Sequence, residues 1–479
     1  RRLPGVTFGG APGENKDVRI RGLDKEYSQI LINGRRIPGG GEKREFQLDQ
    51  LPAALIERIE IIRAPTADID AQGIAGTINI ILKSIPNTGT GTFSLGLNQL
   101  QDGDLKPSIN LSYGARTDDF GYLLNINAQQ RQQLKDKQKQ SFKSDGTSDK
   151  RETETEKKDF DELQFSPKFD WAVTAQDTLK LEPLLLRSDE AKTKEKLKFK
   201  ADGKVDGQEL EQEDKNRTNI ALYGEWQHRY AKGGELTLGL DLQESTEDKT
   251  KLKQAFKGDG SLDKIENEVE DKSDQQWSFS LKSKNFIGEQ HTLISGLEFS
   301  DKERQKNKIK TETKKGKTKD KSSAKDKYNI SGQRINAYIL DEYSLGERHL
   351  ITPGLRFEWT NTQVDSNDGT ARENSDLFLS PSLHYLFTWT DKTNVRASFT
   401  STVRRPKFDD LMDYVESADG TLSKPDKLGN PDLLPEKSNG FDVSVEHYFA
   451  DHAGNIALNL FYRDISDKIE DRLSVDPLT

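Results

Sequence analysis

The sequence predicts an all-β transmembrane barrel, antiparallel and up-and-down, preceded by a small mixed α+β domain. Three observations indicate this fold. Apolar and polar residues alternate over most of the chain, tight turns alternate with long hydrophilic segments, and the first 85 residues follow a different pattern. A period of two places alternate side chains on opposite faces of a sheet, so this sheet has one apolar and one hydrophilic face.

The composition agrees with a sheet that is wet on one side. Of the 479 residues, 32% are hydrophobic and 32% are charged, which is too little apolar material for a large close-packed interior. The 21 Phe, 12 Tyr and 5 Trp argue against a disordered chain. The net charge of -9 excludes a globally basic nucleic-acid-binding protein, and the lack of Cys excludes disulfides and thiolate sites.

Residues 1–85 are predicted to form the small mixed domain. Asn33-Gly34 is a strong two-residue turn signal, so a short hairpin is expected at residues 29–37. A helical turn is expected at 52–55, and strands at 56–63 and 77–82.

From residue 91 onward, the alternation predicts about fifteen strands. Tight turns are expected near residues 117–120, 174–177, 231–234, 287–290, 346–349, 390–393 and 450–454. Between them lie hydrophilic segments that we expect to be long loops, at residues 134–159, 191–216, 250–273, 305–332, 364–375 and 405–437.

Short turns at one end and long segments at the other are typical of outer-membrane barrels, whose apolar face contacts lipid. Aromatic residues near the tight turns would form an interfacial girdle: Phe120, Tyr122, Tyr230, Phe286, Trp389, Tyr448 and Phe449. Hydrocarbon requires every backbone polar group to be paired, so the strands must close into a ring. Because such barrels have even strand numbers, we expect this chain to lack several C-terminal strands.

Four segments near the N-terminus resemble the plug domain of TonB-dependent outer-membrane receptors: Val18-Arg-Ile-Arg-Gly22, Ile30-Leu-Ile-Asn-Gly34, residues 56–65 (IERIEIIRAP) and Gly76-Thr-Ile-Asn-Ile80. Residues 401–406 and 429–436 resemble barrel segments of the same family. The resemblance implies a plug domain at residues 1–85 inside the lumen of a transmembrane β-barrel at 86–479. It also implies twenty-two strands in the complete protein.

The resemblance implies import of a scarce ligand, most simply a ferric siderophore, by plug rearrangement driven through TonB. Cobalamin, haem, another metal chelate or an oligosaccharide are alternative ligands within the same architecture. A passive outer-membrane channel or an adhesin is the alternative of another class, and porins lack a plug. A secreted glycosidase would need two carboxylates in one cleft, and no such pair stands out.

Two plug loops resemble the ligand-sensing loops of siderophore receptors, at residues 9–16 and 36–44. Glycines there permit close backbone approach, and the neighbouring cations suit an anionic ligand or a metal chelate. The expected ligand-binding residues are Lys16, Arg35, Arg36, Gly39, Gly40, Gly41, Lys43 and Arg44. A solvated hairpin tip without a ligand role is the alternative.

Charged residues on the plug strands are expected to form ion pairs with the barrel. The candidates are Arg19, Arg21, Arg58, Glu60 and Arg63. Loss of one partner would leave a charge in a partly desolvated lumen, at a cost of roughly 3–5 kcal/mol if the pair is buried. If these residues are solvated, each contributes under about 1 kcal/mol.

Neither a cofactor nor a resident metal site is expected, because the six His are scattered and any metal would arrive within the ligand. The expected partners are TonB, through an N-terminal segment absent from this chain, outer-membrane lipid and lipopolysaccharide, and a small-molecule chelate. No nucleic-acid partner is expected, and the protein is expected to be a monomer in the outer membrane of a Gram-negative bacterium. The basic segment at 301–327 could steer anionic ligands, bind lipopolysaccharide phosphates or remain disordered.

Overall fold

A computed structural model of the chain shows a small N-terminal domain against the inner face of one large antiparallel sheet. The description below is confined to residues 5–9, 17–36, 51, 55–100, 103–231, 233–323, 326–366, 371–411, 415–416, 425, 427–430, 432–449 and 454–474.

In its described residues the N-terminal domain, here called the plug, contains five strands and one turn of 3-10 helix, Lys25–Tyr27. The strands are β1 (Val6–Gly9), β2 (Asp17–Ile20), β3 (Ser28–Ile32), β4 (Ile56–Ile62) and β5 (Gly76–Leu82). β5 lies centrally, parallel to β3 and antiparallel to β4. Ile20, Leu55, Ile74 and Ile80 are almost fully buried in its core.

The predicted turn at Asn33-Gly34 is present. Both residues have positive φ, 49° and 78°, as a two-residue hairpin turn requires. Beyond the turn, Arg35 forms one bridge with Ile32, and residues 37–50 lie outside the described part of the chain.

The large sheet, here called the wall, follows the order of the sequence, and all of its paired strands are antiparallel. Its strands are β6 (Thr90–Gln99), β7 (Leu105–Arg116), β8 (Phe120–Phe142), β9 (Ser148–Phe165), β10 (Lys168–Ala172), β11 (Asp177–Lys200), β12 (Val205–Arg229), β13 (Glu235–Lys257), β14 (Leu262–Ile287), β15 (His291–Lys314), β16 (Lys317–Asp320), β17 (Lys327–Leu345), β18 (His349–Ser366), β19 (Ala371–Thr390), β20 (Thr393–Arg404), β23 (Glu436–Tyr448) and β24 (Asn455–Ser466). The connection between β20 and β23 contains α1 (Phe408–Leu411), β21 (Val415–Glu416) and β22 (Lys427–Leu428).

Because β9 and β10 both pair with β8 and β11, they are two pieces of one strand, and β16 is a short return beside β15. The described residues therefore contain fifteen wall strands, the number that the alternation predicts. The predicted fold class, a plug with an all-β outer-membrane barrel, is confirmed. No helix in the described residues is both long enough and apolar enough to cross a membrane.

The outward face of the wall carries an apolar band that ends abruptly. Phe299, Ile335, Trp359 and Leu377 are in register on four adjacent strands and form its upper edge. Two residues further along the same strands the outward positions become polar, at Asp301, Gln333, Asn361 and Ser375. The band marks the lipid-facing zone, and the strands continue above it.

All seven segments predicted as tight turns lie between consecutive wall strands, which places these connections at one end of the wall, although residues 232 and 450–453 lie outside the described part of the chain. The prediction of long loops at the other end, however, is wrong for most of these segments, because the strands run on through them. β8 and β11–β15 contain 23 to 26 residues each. At about 3.3 Å per residue they are about 80 Å long, more than twice the hydrocarbon thickness.

Like charges form columns on the inner face of this extension, and neighbouring columns have opposite sign. The columns are Lys135/137/139 on β8, Glu152/154/156 on β9, Lys192/194/196/198 on β11, Glu209/211/213 on β12, Lys249/251/253 on β13, Glu266/268/270 on β14 and Lys306/308/310 on β15. Ion pairs join adjacent columns, for example Lys194–Glu154 at 3.2 Å and Lys249–Glu268 at 2.7 Å. Beyond the apolar band, these ion pairs replace apolar contacts between the side chains of neighbouring strands.

The columns also change the interpretation of the basic segment at 301–327. Most of it is the end of β15 and the short strand β16, so it is not a loop. Lys308 lies 3.1 Å from Asp326 and 3.9 Å from Glu268, so its charge is already neutralised by the protein.

Candidate functional site: the plug–wall interface

The centre of the plug–wall interface is a cluster of buried charges around Asp70 and Glu358. Arg334 of β17 lies between them, 2.7 Å from Asp70 and 2.7 Å from Glu358. Glu358 of β18 is fully buried and also pairs with Arg356 at 2.7 Å and with Arg405 at 3.1 Å. Each buried charge thus has at least one opposite partner, which a desolvated ion cluster requires.

The backbone of the plug also takes part in this cluster. The amide of Ala71 donates to Glu358 at 3.3 Å, and the guanidinium of Arg356 donates to the carbonyl of Ala67 at 3.3 Å. The segment between strands β4 and β5 is therefore held by hydrogen bonds to both Glu358 and Arg356 of the wall.

Asp70 is ionised under ordinary conditions. Burial alone would raise the pKa of its carboxyl, but Arg334 and Arg36 reverse that effect and hold the pKa well below its usual value. Arg36 is a plug residue whose guanidinium donates to Asp70. Asp70 consequently connects the plug's own hairpin with the wall.

Gly354 permits the wall to approach the plug closely at this point. A Cβ at Gly354 would lie 2.8 Å from the Cβ of Ala67 and 2.8 Å from the hydroxyl of Ser382, which is too close for either contact. Glycine therefore allows β18 to touch the plug backbone beside the charge cluster.

A second anchor lies at the 3-10 turn of the plug. Glu26 pairs with Arg404 of β20 at 3.0 Å and with Lys407. Burial opposes the ionisation of Glu26, but Lys407 and Arg404 outweigh it and lower the pKa of the carboxyl. Arg404 also pairs with buried Glu436 at 2.6 Å, and the Tyr27 hydroxyl donates to Glu436 at 3.4 Å.

A third anchor joins Arg21 of the plug to Asp442 of β23. Arg463 of β24 pairs with the same carboxylate at 2.6 Å and donates to the carbonyls of Ile74 and Arg63. Burial and the neighbouring Arg463 lower the pKa of Arg21 to about 10, so the guanidinium is still charged at neutral pH.

The plug hairpin makes a fourth contact with β11–β13. Arg35 pairs with Glu182 at 2.8 Å and lies over the ring of Tyr223, with its central carbon 3.2 Å from the ring centroid. The carbonyl of Arg36 accepts a hydrogen bond from Gln243 at 3.0 Å. These contacts are fewer and less charged than those made with β15–β24.

The structure distributes the expected plug–wall ion pairs unevenly. Arg21 pairs with the wall, whereas Arg19 pairs with Asp24 and the carbonyl of Arg63 accepts from Arg21 at 3.1 Å. The expectation for Arg58 and Glu60 needs correction, because they pair with each other at 2.8 Å within the plug. Arg58 is more than half exposed, and its ion pairs within the described part of the chain are with Glu57 and Glu60 of the plug.

Of the expected ligand-binding residues, the structure describes Arg35 and Arg36, and it uses both in contacts that hold the hairpin. Lys16, Gly39, Gly40, Gly41, Lys43 and Arg44 lie outside the described residues.

Sequence reasoning missed Asp70, Arg334, Glu358, Arg404 and Glu436 as members of the site. A usable signal existed for the last two, because both lie in the barrel segments that carry the family resemblance. A second signal is a charge at an inward position of a strand, where only the lumen or the plug can neutralise it.

The fold and this interface together define a class of protein: an outer-membrane-type barrel whose lumen is occupied by a separate plug held by buried ion pairs. Comparison with known families agrees. The family model described as "TonB-dependent Receptor Plug Domain" matches residues 1–77, and the one described as "TonB dependent receptor-like, beta-barrel" matches residues 212–479. The chain belongs to the TonB-dependent receptor family, whose members are receptors and transporters rather than enzymes.

Solved structures of similar fold include three iron-related receptors. The unliganded ferric citrate transporter FecA has a TM-score of 0.62 at 16% identity, over 97% of this chain and 66% of FecA. The siderophore receptor PirA from Acinetobacter baumannii has a TM-score of 0.61 at 17% identity, over 98% of this chain and 68% of PirA.

The third is a variant of the ferric enterobactin receptor PfeA from Pseudomonas aeruginosa in complex with enterobactin. It has a TM-score of 0.63 at 18% identity, over 98% of this chain and 70% of PfeA. At these identities the likeness establishes the fold, and this chain spans about two thirds of the length of those receptors.

Proposed function

We propose that this protein imports a ferric siderophore across the outer membrane of a Gram-negative bacterium, using the protonmotive force transmitted by TonB. The observation that carries the proposal is the buried ion cluster at Asp70, Arg334 and Glu358, which fixes the plug inside the wall. In this proposal, displacing the plug breaks these buried ion pairs, and the work transmitted by TonB supplies the free energy for that step. The ferric citrate, siderophore and enterobactin receptors of similar fold support the ligand class.

In this mechanism the ligand binds above the plug, near the cationic hairpin that begins at Arg35 and Arg36. Lys16, Gly39, Gly40, Gly41, Lys43 and Arg44 remain proposed contacts for an anionic chelate. In this proposal no resident cofactor is needed, because iron arrives as part of the ligand. TonB, outer-membrane lipid and lipopolysaccharide are the proposed partners, and the proposed working form is a monomer.

The test is uptake of radioactive iron by cells that lack their other siderophore receptors and express the full-length protein. Uptake of ferric chelates is expected with TonB and not without it. No TonB-dependent uptake of any ferric chelate would refute the ligand class.

An oligosaccharide is the second candidate ligand, and one structural feature favours it. Amide side chains line the inner face of β7–β9 in one register row: Asn110, Asn127 and Gln164. Gln164 is 3% exposed, and both of its amide atoms lack a hydrogen-bond partner. The amide nitrogen of Asn110 is also without a partner. Neighbouring amide side chains can both donate and accept hydrogen bonds, which suits the hydroxyl groups of a neutral sugar better than an anionic metal chelate.

Uptake assays with a radioactive oligosaccharide, on wild type and on Gln164→Leu, separate the two candidates. The sugar proposal expects oligosaccharide uptake that Gln164→Leu abolishes. The siderophore proposal expects iron uptake that the same substitution leaves within about twofold.

A further inference from the structure

Four of the six histidines occupy equivalent positions in the wall. His228 and His447 are the next-to-last residues of β12 and β23, and His291 and His349 are the first residues of β15 and β18. All four thus lie beside tight turns, at the end of the wall opposite the charged extension. This repetition on four strands is the starting point of the inference.

All four side chains are on the outward face. Strand alternation places His228 with Ile220, His291 with Leu297, His349 with Leu355, and His447 with Phe441, and these apolar residues are between 42% and 55% exposed on the lipid-facing side. The four histidines therefore mark the lower edge of the apolar band, where headgroups of the periplasmic leaflet are expected.

Each imidazole ring packs on an aromatic neighbour. His228 stacks on Trp226 with ring centroids 5.7 Å apart, and His291 stacks on Tyr343 at 4.6 Å. His349 stacks on Phe387 at 4.8 Å, and His447 meets Phe449 edge-on at 5.2 Å. Because the aromatic residues fix the ring planes, the two nitrogens of each ring have defined directions.

The same nitrogen is used in all four rings. Nδ1 of His228 lies 2.8 Å from Asp177, and Nδ1 of His291 lies 2.7 Å from Asp341. Nδ1 of His349 lies 2.8 Å from the Tyr385 hydroxyl, and Nδ1 of His447 lies 2.9 Å from the Thr393 hydroxyl. Among the described residues no hydrogen bond reaches Nε2, on the other side of each ring, and the four side chains are partly or fully exposed, with His228 at 26% and His291 at 43%.

We propose that His228, His291, His349 and His447 form a phosphate-binding girdle for the phospholipids of the periplasmic leaflet, with each Nε2–H donating to a phosphodiester oxygen. In His228 and His291 the carboxylate accepts from Nδ1–H and the phosphodiester would accept from Nε2–H, so each ring would lie between two anionic acceptors. A hydroxyl at Nδ1 can donate to the ring, and the neutral ring then also carries its proton on Nε2. The site is continuous with the lipid-facing band, and phosphate is the group that all phospholipids present at that depth.

His384 provides a control within the same chain. It faces the lumen, and its Nε2 lies 3.2 Å from the carbonyl of Pro65 in the plug, so it cannot meet lipid. The girdle concerns lipid rather than the imported ligand, so it does not depend on the proposed function.

The experiment measures phospholipid binding by native mass spectrometry of the full-length protein in dodecyl maltoside. Phosphatidylglycerol is titrated against a glycolipid that has the same acyl chains and no phosphate. The test variant combines His228→Phe, His291→Phe, His349→Phe and His447→Phe, which keep an aromatic ring and remove the nitrogens. His384→Gln is the matched control.

We expect phosphatidylglycerol to bind the combined variant about tenfold more weakly, with glycolipid binding unchanged and His384→Gln equal to wild type. Equal phosphatidylglycerol binding by wild type and the combined variant overturns the proposal. If the combined variant does not assemble, the double variant His349→Phe with His447→Phe gives the same comparison. It leaves Asp177 and Asp341 with their histidine partners. An about threefold loss is then expected, and no loss overturns the proposal.

Discussion

Arg334 of the wall and Asp70 of the plug form a two-pronged ion pair. One guanidinium nitrogen lies 2.7 Å from one carboxylate oxygen, and the second lies 3.1 Å from the other. The two residues are 264 positions apart in the sequence, and both side chains are largely buried. Arg334 also pairs with Glu358 of β18, and Glu358 pairs with Arg405, which follows β20. The contact therefore joins the plug to a charge network on three segments of the wall.

Asp70→Ala is expected to loosen the plug by roughly 3–5 kcal/mol, because it leaves buried Arg334 with a weaker set of partners. The measurement is denaturant unfolding of the plug, followed by a fluorescent label on an introduced cysteine, which is clean because the native chain has no Cys. Planar-bilayer conductance should increase in parallel, since a loosened plug leaks.

The matched control for this substitution is Arg58→Ala. Arg58 pairs only within the plug in the described contacts and is more than half exposed, so its loss should cost under about 1 kcal/mol. Equal effects of the two substitutions would falsify the assignment of Asp70 as an anchor.

The pH dependence of plug stability follows from Asp70 and Glu26, whose pKa values are both lowered in the folded protein. A carboxyl whose pKa is lower in the folded than in the unfolded protein stabilises the fold at pH values above its unfolded pKa, near 4. That stabilisation is lost as the pH falls through the folded pKa. The denaturant midpoint of plug unfolding should therefore be flat between about pH 8 and pH 5 and should fall below about pH 4. A drop already complete at pH 5 would contradict the assignment to these carboxylates.

Gly354→Val tests the close approach of wall and plug. The new side chain would meet Ala67, so a destabilisation of about 1–3 kcal/mol is expected from overpacking. Ala67→Gly combined with Gly354→Val should recover part of this loss, because it removes one of the two close contacts. Strictly additive effects of the two substitutions in the unfolding measurement would show that the residues do not touch.

The sequence was sufficient for the fold because its signals are local. Alternation identifies a strand, and an Asn-Gly or short polar segment identifies a turn, so the fifteen wall strands and seven turns could be predicted. The Arg334–Asp70 pair could not, because nothing local relates an arginine on β17 to an aspartate in the plug. Arg21 was accessible only through the resemblance of its segment to a plug motif.

The extension above the membrane shows why the loop prediction failed. Segments such as Glu152–Glu156 and Lys192–Lys198 lack an apolar face, and alternation of apolar with polar residues was the criterion for a strand. The strand signal in this part of the chain is a residue of one charge at every second position. The sign of that charge reverses from one strand to the next. Outside hydrocarbon, pairing of charges across strands can replace burial of apolar side chains.

The charge columns predict that strand pairing above the membrane depends on sign. Glu209→Lys, Glu211→Lys and Glu213→Lys together would place a lysine column between the lysine columns of β11 and β13. We expect this part of β12 to separate from its neighbours, because Lys192, Lys198, Lys251 and Lys253 would lose attractive partners and face repulsive ones. Each lost pair contributes up to about 1 kcal/mol, and repulsion adds a similar amount.

Limited trypsin digestion of the folded protein in detergent measures this separation, as new cleavage between residues 192 and 253. The corresponding triple Gln variant should show intermediate cleavage, because it removes attraction without adding repulsion. Gln208→Lys with Gln212→Lys is the control, since these positions lie on the outward face of the same strand and should leave the cleavage of the extension near that of wild type. Cleavage that followed the number of added lysines, whichever face they occupy, would show that the columns do not hold the extension together.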